Sequence, residues 1–418
     1  MKSSLLIGLG TLLTLTLPCP AGAAPRPSGA EIAVNAAVLG QHSQPHPALF
    51  SDGGFVVVWD DTGGSKTSLH ARFFGRDGSP TSGEFRLLAP SAGSTYVTSV
   101  VVDVDDSFLV AWDDVLPGKP SRVLVQRFDR AGRPVRKAFQ VHANSAQERF
   151  WGRLAPRPGG GFAITWTATE DHLTHTEDSG DIYAYDAYAR VFTTGDAPLS
   201  PEFLVTPYTG DDQVPLALGV SSNGTVIVLF VFWDQGTLLR MQRLTPRGRR
   251  LGEETPLDPE GENLFVHDAA LAMAPDGTFV AAWDNEISAP AGSGARHRIS
   301  ARRFAADGSP LTDPFPIIPE SPTSRFDLAA LPNGGVVAVW TDSGRDGDRL
   351  GIFGRAFGPG GNPLSAHDFQ VNLTTEGDQA FPLLAGRNGR FVAAWGQGGG
   401  VASGYPSKDV RARLLAGN

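Results

Sequence analysis

Cysteine is nearly absent from this chain: one residue, Cys19, in 418. It falls within the first two dozen residues, so no disulfide framework and no cysteine metal centre can be built from the remainder. Long apolar runs are also scarce. The longest, Leu5 to Leu17, is broken only by Gly and Thr, follows Lys2 and precedes the small-residue stretch Ala21-Gly22-Ala23. That pattern predicts a cleaved secretory signal over residues 1–23, too short to span a membrane. Pro18 before Cys19 is a poor match to lipoprotein processing, which leaves a secreted, periplasmic or cell-envelope protein as the expectation. Runs of Lys and Arg are missing. The net charge of −9 becomes −10 once Lys2 is lost with the signal, which excludes nucleic acid as an expected partner. No Gly-x-Ser-x-Gly elbow, His-Glu-x-x-His pair, phosphate loop or dinucleotide fingerprint occurs after the signal.

What the chain has instead is 50 glycines and 32 prolines, the mark of many short strands and turns. Its organising feature is a repeat. Trp59, Trp112, Trp166, Trp233, Trp283, Trp340 and Trp395 each end an apolar run such as GGFVVVW or GTFVAAW, at separations of 53, 54, 67, 50, 57 and 55 residues. A period of that length with four apolar stretches per unit predicts four-stranded blades. Hairpin turns such as Ser51-Asp52-Gly53-Gly54 separate the first two strands of a unit. The seventh unit stops after its third strand, near Leu415. Glu31-Ile32-Ala33-Val34-Asn35 matches the missing fourth strand and stands at the opposite end of the chain. The expectation is an all-β, seven-bladed β-propeller closed by this N-terminal strand: residues 1–23 a signal peptide, 24–30 a short linker, 31–418 one domain, and a monomer.

The unit DGGFVVVWDD...ARFF..DGSP..GEFRL resembles a repeat of secreted, mostly uncharacterised bacterial surface proteins, and more distantly the propellers of WD40 and integrin-α type. Trp-Asp pairs occur at Trp59-Asp60, Trp112-Asp113, Trp233-Asp234 and Trp283-Asp284, but no Gly-His precedes them at the WD40 distance. Sialidase-type Asp boxes are absent as well. The resemblance therefore implies blade packing and no particular chemistry.

An arginine recurs in the third strand, as Arg72, Arg127, Arg190, Arg243, Arg302, Arg355 and Arg413. It is expected to pair with the Trp face or with the Asp of the adjacent strand. If the first strand is innermost, its leading end brings His46, Tyr96, Arg149, Trp151, Arg153, Gln213, His267, Asp268, Arg325, Asp327 and Gln379 to one mouth of the axial channel. Of these, Arg149, Trp151, Arg153, His267, Asp268, Arg325 and Asp327 form the candidate ligand site, joined by Tyr183 and Tyr185 from a long blade 3 insertion expected to be a solvated loop. That insertion also holds His172 and His175, a weak zinc pattern. Asp342 to Asp348 in blade 6 groups oxygen donors without the calcium-loop pattern. No metal or cofactor is expected, with calcium the one alternative. The leading functional reading is non-enzymatic recognition of a glycan or an extracellular protein. The alternative is a polysaccharide hydrolase or lyase using Asp268, Asp327, His267 and His46 as acid/base groups.

Overall fold

In the computed structural model, residues 24–417 are described apart from 37–40, 43–44, 64–65, 89–92, 144–145, 177–179, 208–211, 234–236, 258–265, 288–295, 322–324 and 399–406. Residues 1–23, expected as a signal, and the Asp of Trp233-Asp234 therefore lie outside the described residues. The chain forms seven antiparallel sheets, each the product of one sequence repeat. Blade 1 is built from His46–Leu49, Phe55–Gly63, Lys66–Phe74 and Phe85–Leu88, with the two-residue strand Gln41–His42 added beside Phe55–Gly63. The innermost strand of each blade contacts the innermost strands of its two neighbours, and blade 7 contacts blade 1, so the ring is closed. No described helix is long and apolar enough to cross a membrane.

Each second strand is buried on both faces because it is clasped within its own sheet and pressed between neighbouring blades. Trp59, Trp166, Trp283 and Trp395 are fully buried. A Phe at the start of the second strand stacks on a Phe at the end of the third: Phe55 on Phe74 at 4.8 Å, Phe162 on Phe192 at 4.7 Å and Phe279 on Phe304 at 5.2 Å between ring centres. Blade 2 repeats the pair as Phe108 on Phe128 at 5.3 Å, and blades 4, 6 and 7 place Val226 opposite Leu244, Val336 opposite Phe357 and Phe391 opposite Leu415, because the register between these strands is fixed. The first hairpin needs Gly53 at φ 86°, a left-handed backbone that side chains resist, while Asp52 Oδ1 accepts the Gly54 N–H at 2.9 Å.

The ring closes where the sequence predicts. Arg26–Ala33 pairs antiparallel with Asp409–Ala416, and the ladder continues as the Val34 N–H donates to the Val410 carbonyl at 2.9 Å. Asn35 Oδ1 in turn accepts the Val410 N–H at 2.8 Å. The strand begins at Arg26, so Arg26, Pro27 and Ser28, expected as linker, already pair, and an irregularity separates them from Ile32. Sealing this sheet removes a free edge that would otherwise present unpaired backbone to other chains.

The recurrent arginine does not behave as expected. Arg72, Arg190, Arg302 and Arg355 each donate to the carbonyl ten residues on, at Ser82, Ser200, Thr312 and Ser365, over 2.7–3.2 Å. Arg72, Arg190 and Arg413 also reach the preceding blade's fourth-strand tail at Val34, Val141 and Val371. These arginines therefore staple backbone to backbone and blade to blade, and Arg355 also lies 3.6 Å from Asp368 beside its fourth strand. In blades 2 and 4 the equivalent position belongs to Gln126 and Gln242, which donate to the same kind of carbonyl at Arg136 and Gly252. Arg127 sits one residue later and thus on the other face, buried between Asp103 and Asp196 at 2.8 Å from each.

Candidate functional site

The Asp of the Trp-Asp pair anchors the leading ends of the inner strands. Asp60 Oδ1 accepts the Val97 N–H of blade 2 at 2.7 Å, and Asp113 Oδ2 accepts the Trp151 N–H of blade 3 at 2.9 Å. Asp284 Oδ1 accepts the N–H groups of His267 and Asp268 within its own blade. A carboxylate at this point satisfies donors that the local sheet cannot.

Four inner strands carry one extra residue against their second strand, in blades 2, 3, 4 and 7. Such bulges re-aim side chains. In blades 3 and 7 an aromatic residue at the bulge takes a left-handed backbone, Trp151 at φ 60° and Phe381 at φ 57°. Neither position is a glycine, so each stores backbone strain that the surroundings must hold in place. Asp113 holds the first. Beyond the second, Asp327 Oδ2 accepts the Leu384 N–H, three residues after Phe381, across the blade 6–blade 7 boundary at 2.8 Å.

The inner strands enclose an axial cavity of about 840 Å³. Its middle is lined by small and aliphatic residues, Ala48, Ala155, Ala217, Ala270 and Ala329 among them, because seven sheets converge there and leave little room. Polar groups gather at one mouth: His46, Arg153, Asp268, Arg325 and Asp327 all line the cavity. Arg325 Nη1 lies 3.7 Å from Asp268 Oδ2, and its guanidinium stands 5.4 Å from the centre of the Phe381 ring.

Burial governs the titration of these groups. It pushes Asp268 up to about 6 against the fields of Arg153 and Arg325. It pushes Asp327 up to about 7 against the N–H donors of Leu384 and Leu328, with the Asp268 charge adding to the rise. Asp113 is likewise raised to about 6 by burial. His46 is driven down to about 4 by burial and then by Arg153, so it is neutral and a weak base at neutral pH. Burial also lowers Arg153, opposed by Asp268 and Asp327; a guanidinium nevertheless keeps its charge. The mouth of an acidic protein thus holds two cations beside carboxyl groups that are partly protonated at neutral pH.

The sequence-predicted residues separate into three sets. Arg153, Asp268, Arg325, Asp327 and His46 come together in the cavity. Trp151 and His267 lie outside its lining. Trp151 is 50% exposed and meets Phe150 edge-on at 4.7 Å. His267 Nε2 is 3.0 Å from Glu286 Oε2. Arg149 is buried, and its guanidinium donates to the Glu148 and Thr169 carbonyls and to Gln147. Gln213 and Gln379 are also buried. Arg149 therefore stiffens a strand corner and does not face the channel, a correction to the sequence reading.

The blade 3 insertion is a hairpin and not a loop. Phe162–Thr176 and Gly180–Phe192 continue their pairing well beyond the 9-residue strands of blade 1, at 15 and 13 residues. Tyr185 meets Phe150 edge-on at 5.8 Å and its N–H donates to Asp212. Tyr183 pairs with Leu173 in the ladder, and its side chain, like those of His172 and His175, lies outside the described residues. In blade 6 the acidic loop is engaged internally: Asp342 with Arg345 at 2.8 Å, Asp346 with Asn372 at 2.8 Å and Asp348 with the Gly377 N–H at 2.7 Å. Sequence reasoning missed Phe381. Its signal was the Phe381-Pro382 step, which breaks the inner-strand pattern as Trp151-Gly152 does.

No protein-family model and no curated protein matches the chain. Solved structures do. A protein of unknown function from Dyadobacter fermentans is 12% identical, with 94% of this chain and 99% of that one covered at a TM-score of 0.53. The polysaccharide lyase Uly1 is 8% identical, with 94% and 100% covered and a TM-score of 0.55. An α-L-arabinofuranosidase from Fusarium graminearum, bound to an iminosugar inhibitor, is 10% identical, with 93% and 98% covered and a TM-score of 0.50. At such identities the likeness establishes a shared propeller fold and nothing finer.

Proposed function

We propose that this chain is a non-enzymatic binding propeller that takes a glycan at the polar mouth of its axial channel. The observation that carries the reading is Trp151: a half-exposed indole held at φ 60° by the Asp113 carboxylate, on the inner-strand end that also supplies Arg153 to the cavity. An exposed indole offers a flat apolar face to the C–H surface of a sugar, and Arg153 and Arg325 offer donors to its hydroxyl or carboxylate oxygens. Tyr96, 45% exposed, stands opposite Asp113 in its own ladder, so two exposed aromatic residues flank one carboxylate. The apolar middle of the cavity disfavours a polar ligand, so recognition occurs at the mouth. Carbohydrate is the substrate class named for two of the similar folds, and the proposal carries that class over to this chain. The reading takes the chain as secreted, on the signal expected over residues 1–23, and as a monomer.

A glycan array probed with residues 24–418, with calcium and then with chelator, tests this reading and the calcium alternative together. Binding that disappears in Trp151→Ala and in Arg153→Ala supports it. An array with no reproducible ligand, or one unchanged by both substitutions, overturns it.

The enzymatic alternative draws on Asp268 and Asp327, because carboxyl groups raised to about 6 and 7 are suited to proton transfer near neutrality. Both also accept backbone N–H groups of the ring, Ala269 for Asp268 and Leu328 and Leu384 for Asp327. An anchoring role alone accounts for those contacts. Cleavage of any array-positive polymer that is lost in Asp327→Asn, with binding retained, would move the chain to the enzyme class.

A further inference from the structure

Blade 1 carries a cluster at the seam where the ring closes, away from the channel mouth. Its second strand is paired near its far end by Gln41–His42, where His42 faces Asp61. On its other side Asp61 faces Ser68 and Trp59 faces His70. Cross-strand partners project from the same face of a sheet, as do residues two apart. His42, Asp61, Ser68 and His70 therefore share one face, the one through which Trp59 packs against blade 7 residues Val392, Ala394 and Val410. Glu84, just ahead of the fourth strand, completes the group. His70 Nδ1 lies 2.9 Å from Glu84 Oε1, and His70 Nε2 lies 3.1 Å from Ser68 Oγ and 3.8 Å from Asp61 Oδ2.

Part of this arrangement belongs to the repeat. Glu84 Oε2 accepts the Ala36 N–H at 3.0 Å, as Glu202 Oε2 accepts the Ala143 N–H at 2.9 Å in blade 3. The other Glu84 oxygen and its histidine do not recur there: Tyr188 faces Trp166, and Ala168 stands two residues beyond Trp166. Asp61, His70 and Glu84 can each offer one ligand atom within 4.8 Å of the others. Their side chains keep 13–17% exposure, enough for an ion to reach them from solvent. A second observation points the same way. His42 is fully buried and neither ring nitrogen has a hydrogen-bond partner, and Asp61 Oδ1 is buried without one as well. Imidazole nitrogen left unsatisfied beside an unsatisfied carboxylate oxygen is a donor set awaiting a shared acceptor.

We propose that His70, Asp61 and Glu84 form a zinc-type divalent metal site within blade 1, beside its seam with blade 7, and that the buried imidazole of His42 on the same face turns in to complete it. Two imidazoles and two carboxylates are nitrogen and oxygen donors that zinc accepts in four-coordinate geometry, whereas calcium requires six or more oxygens. Ligand atoms around a tetrahedral zinc stand roughly 3.3 Å apart, within the range of the spacings already present among Asp61, His70 and Glu84. Binding replaces the His70–Glu84 hydrogen bond by metal bonds and gives the orphaned His42 a partner.

The experiment titrates zinc into the chelator-treated full chain by calorimetry, with cobalt as a spectroscopic substitute and thermal unfolding as a second readout. One zinc per chain, a higher unfolding temperature and a cobalt spectrum of tetrahedral type are expected. Asp61→Asn and His70→Gln should each lower zinc affinity by at least about 10-fold, and His367→Gln, at an exposed site elsewhere, should leave it unchanged. Should His70→Gln fail to fold, Asp61→Asn, which preserves size, decides alone. Absence of stoichiometric zinc binding, or affinity retained in Asp61→Asn, overturns the proposal.

Discussion

The blade interiors and the channel mouth are made by the same seven blades, yet they follow opposite rules. In the interiors the blades repeat one another, Trp after Trp, with Phe on Phe in four of them and an arginine or glutamine reaching the carbonyl ten residues on in six. At the mouth the blades differ in what they supply: His46 comes from blade 1, Arg153 from blade 3, Asp268 from blade 5, and Arg325 with Asp327 from blade 6. Packing must be solved identically in every blade, so repetition marks stability. A ligand is met once, by the whole ring, so departure from repetition marks the candidate site.

The comparison can be tested by perturbing each side, and the largest effect is expected from the closure. Deleting residues 24–35 removes the strand that pairs with Asp409–Ala416 and uncovers the blade 7 edge. Circular dichroism and gel filtration should report loss of the single cooperative transition and association of the opened rings. Next come interior substitutions. Trp283→Ala in its fully buried site should cost about 3–5 kcal/mol in denaturant unfolding, and Arg127→Ala, which strands Asp103 and Asp196, a comparable amount.

A smaller effect separates the mouth from the interior by pH. Asp327 has a folded value of about 7 and an unfolded value near 4. Between these the folded ring holds a proton that the unfolded chain has released. The contribution of this group is therefore fully present below pH 4 and is lost as pH rises through 7. Subtracting the stability–pH curve of Asp327→Asn from that of the wild type should give a difference that falls over pH 4–7, by at most about 1.4 kcal/mol per pH unit. A flat difference would show that Asp327 is solvated like a surface carboxylate. The smallest stability change is expected at Trp151. Trp151→Gly relieves a left-handed backbone and should leave stability unchanged or raise it by up to about 1 kcal/mol, while glycan affinity falls about 30-fold or more. Equal losses of both would place Trp151 with the packing residues.

Much of the fold was legible because it is local. Gly53 and its counterparts announce hairpins, apolar runs announce twice-buried strands, and the missing fourth strand of the last unit announced the closure by Glu31 to Asn35. The candidate site was legible only in part. Convergence of Arg153, Asp268, Arg325 and Asp327 followed from placing inner strands around an axis. Arg149 was misjudged because one extra residue in the blade 3 strand separates it from Arg153, and a single step in register turns a side chain to the other face. The same step separates Arg127 from Arg72. The blade 3 insertion was read as a loop because its polar composition hides a continuing ladder between Phe162–Thr176 and Gly180–Phe192. The cluster of His42, Asp61, His70 and Glu84 left no motif, since its members come from four separate strands or turns of one blade.

By itself the sequence determined how many blades there are, where they turn and which ends join, because those are properties of short segments whose periodicity and turn chemistry act within a few residues. Tertiary structure alone decided which polar groups meet, which arginines are buried and which aromatic residues are held exposed. Those outcomes depend on bulges that shift register by one residue and on ring closure that brings together residues far apart in the chain, and neither is written in any local run of amino acids.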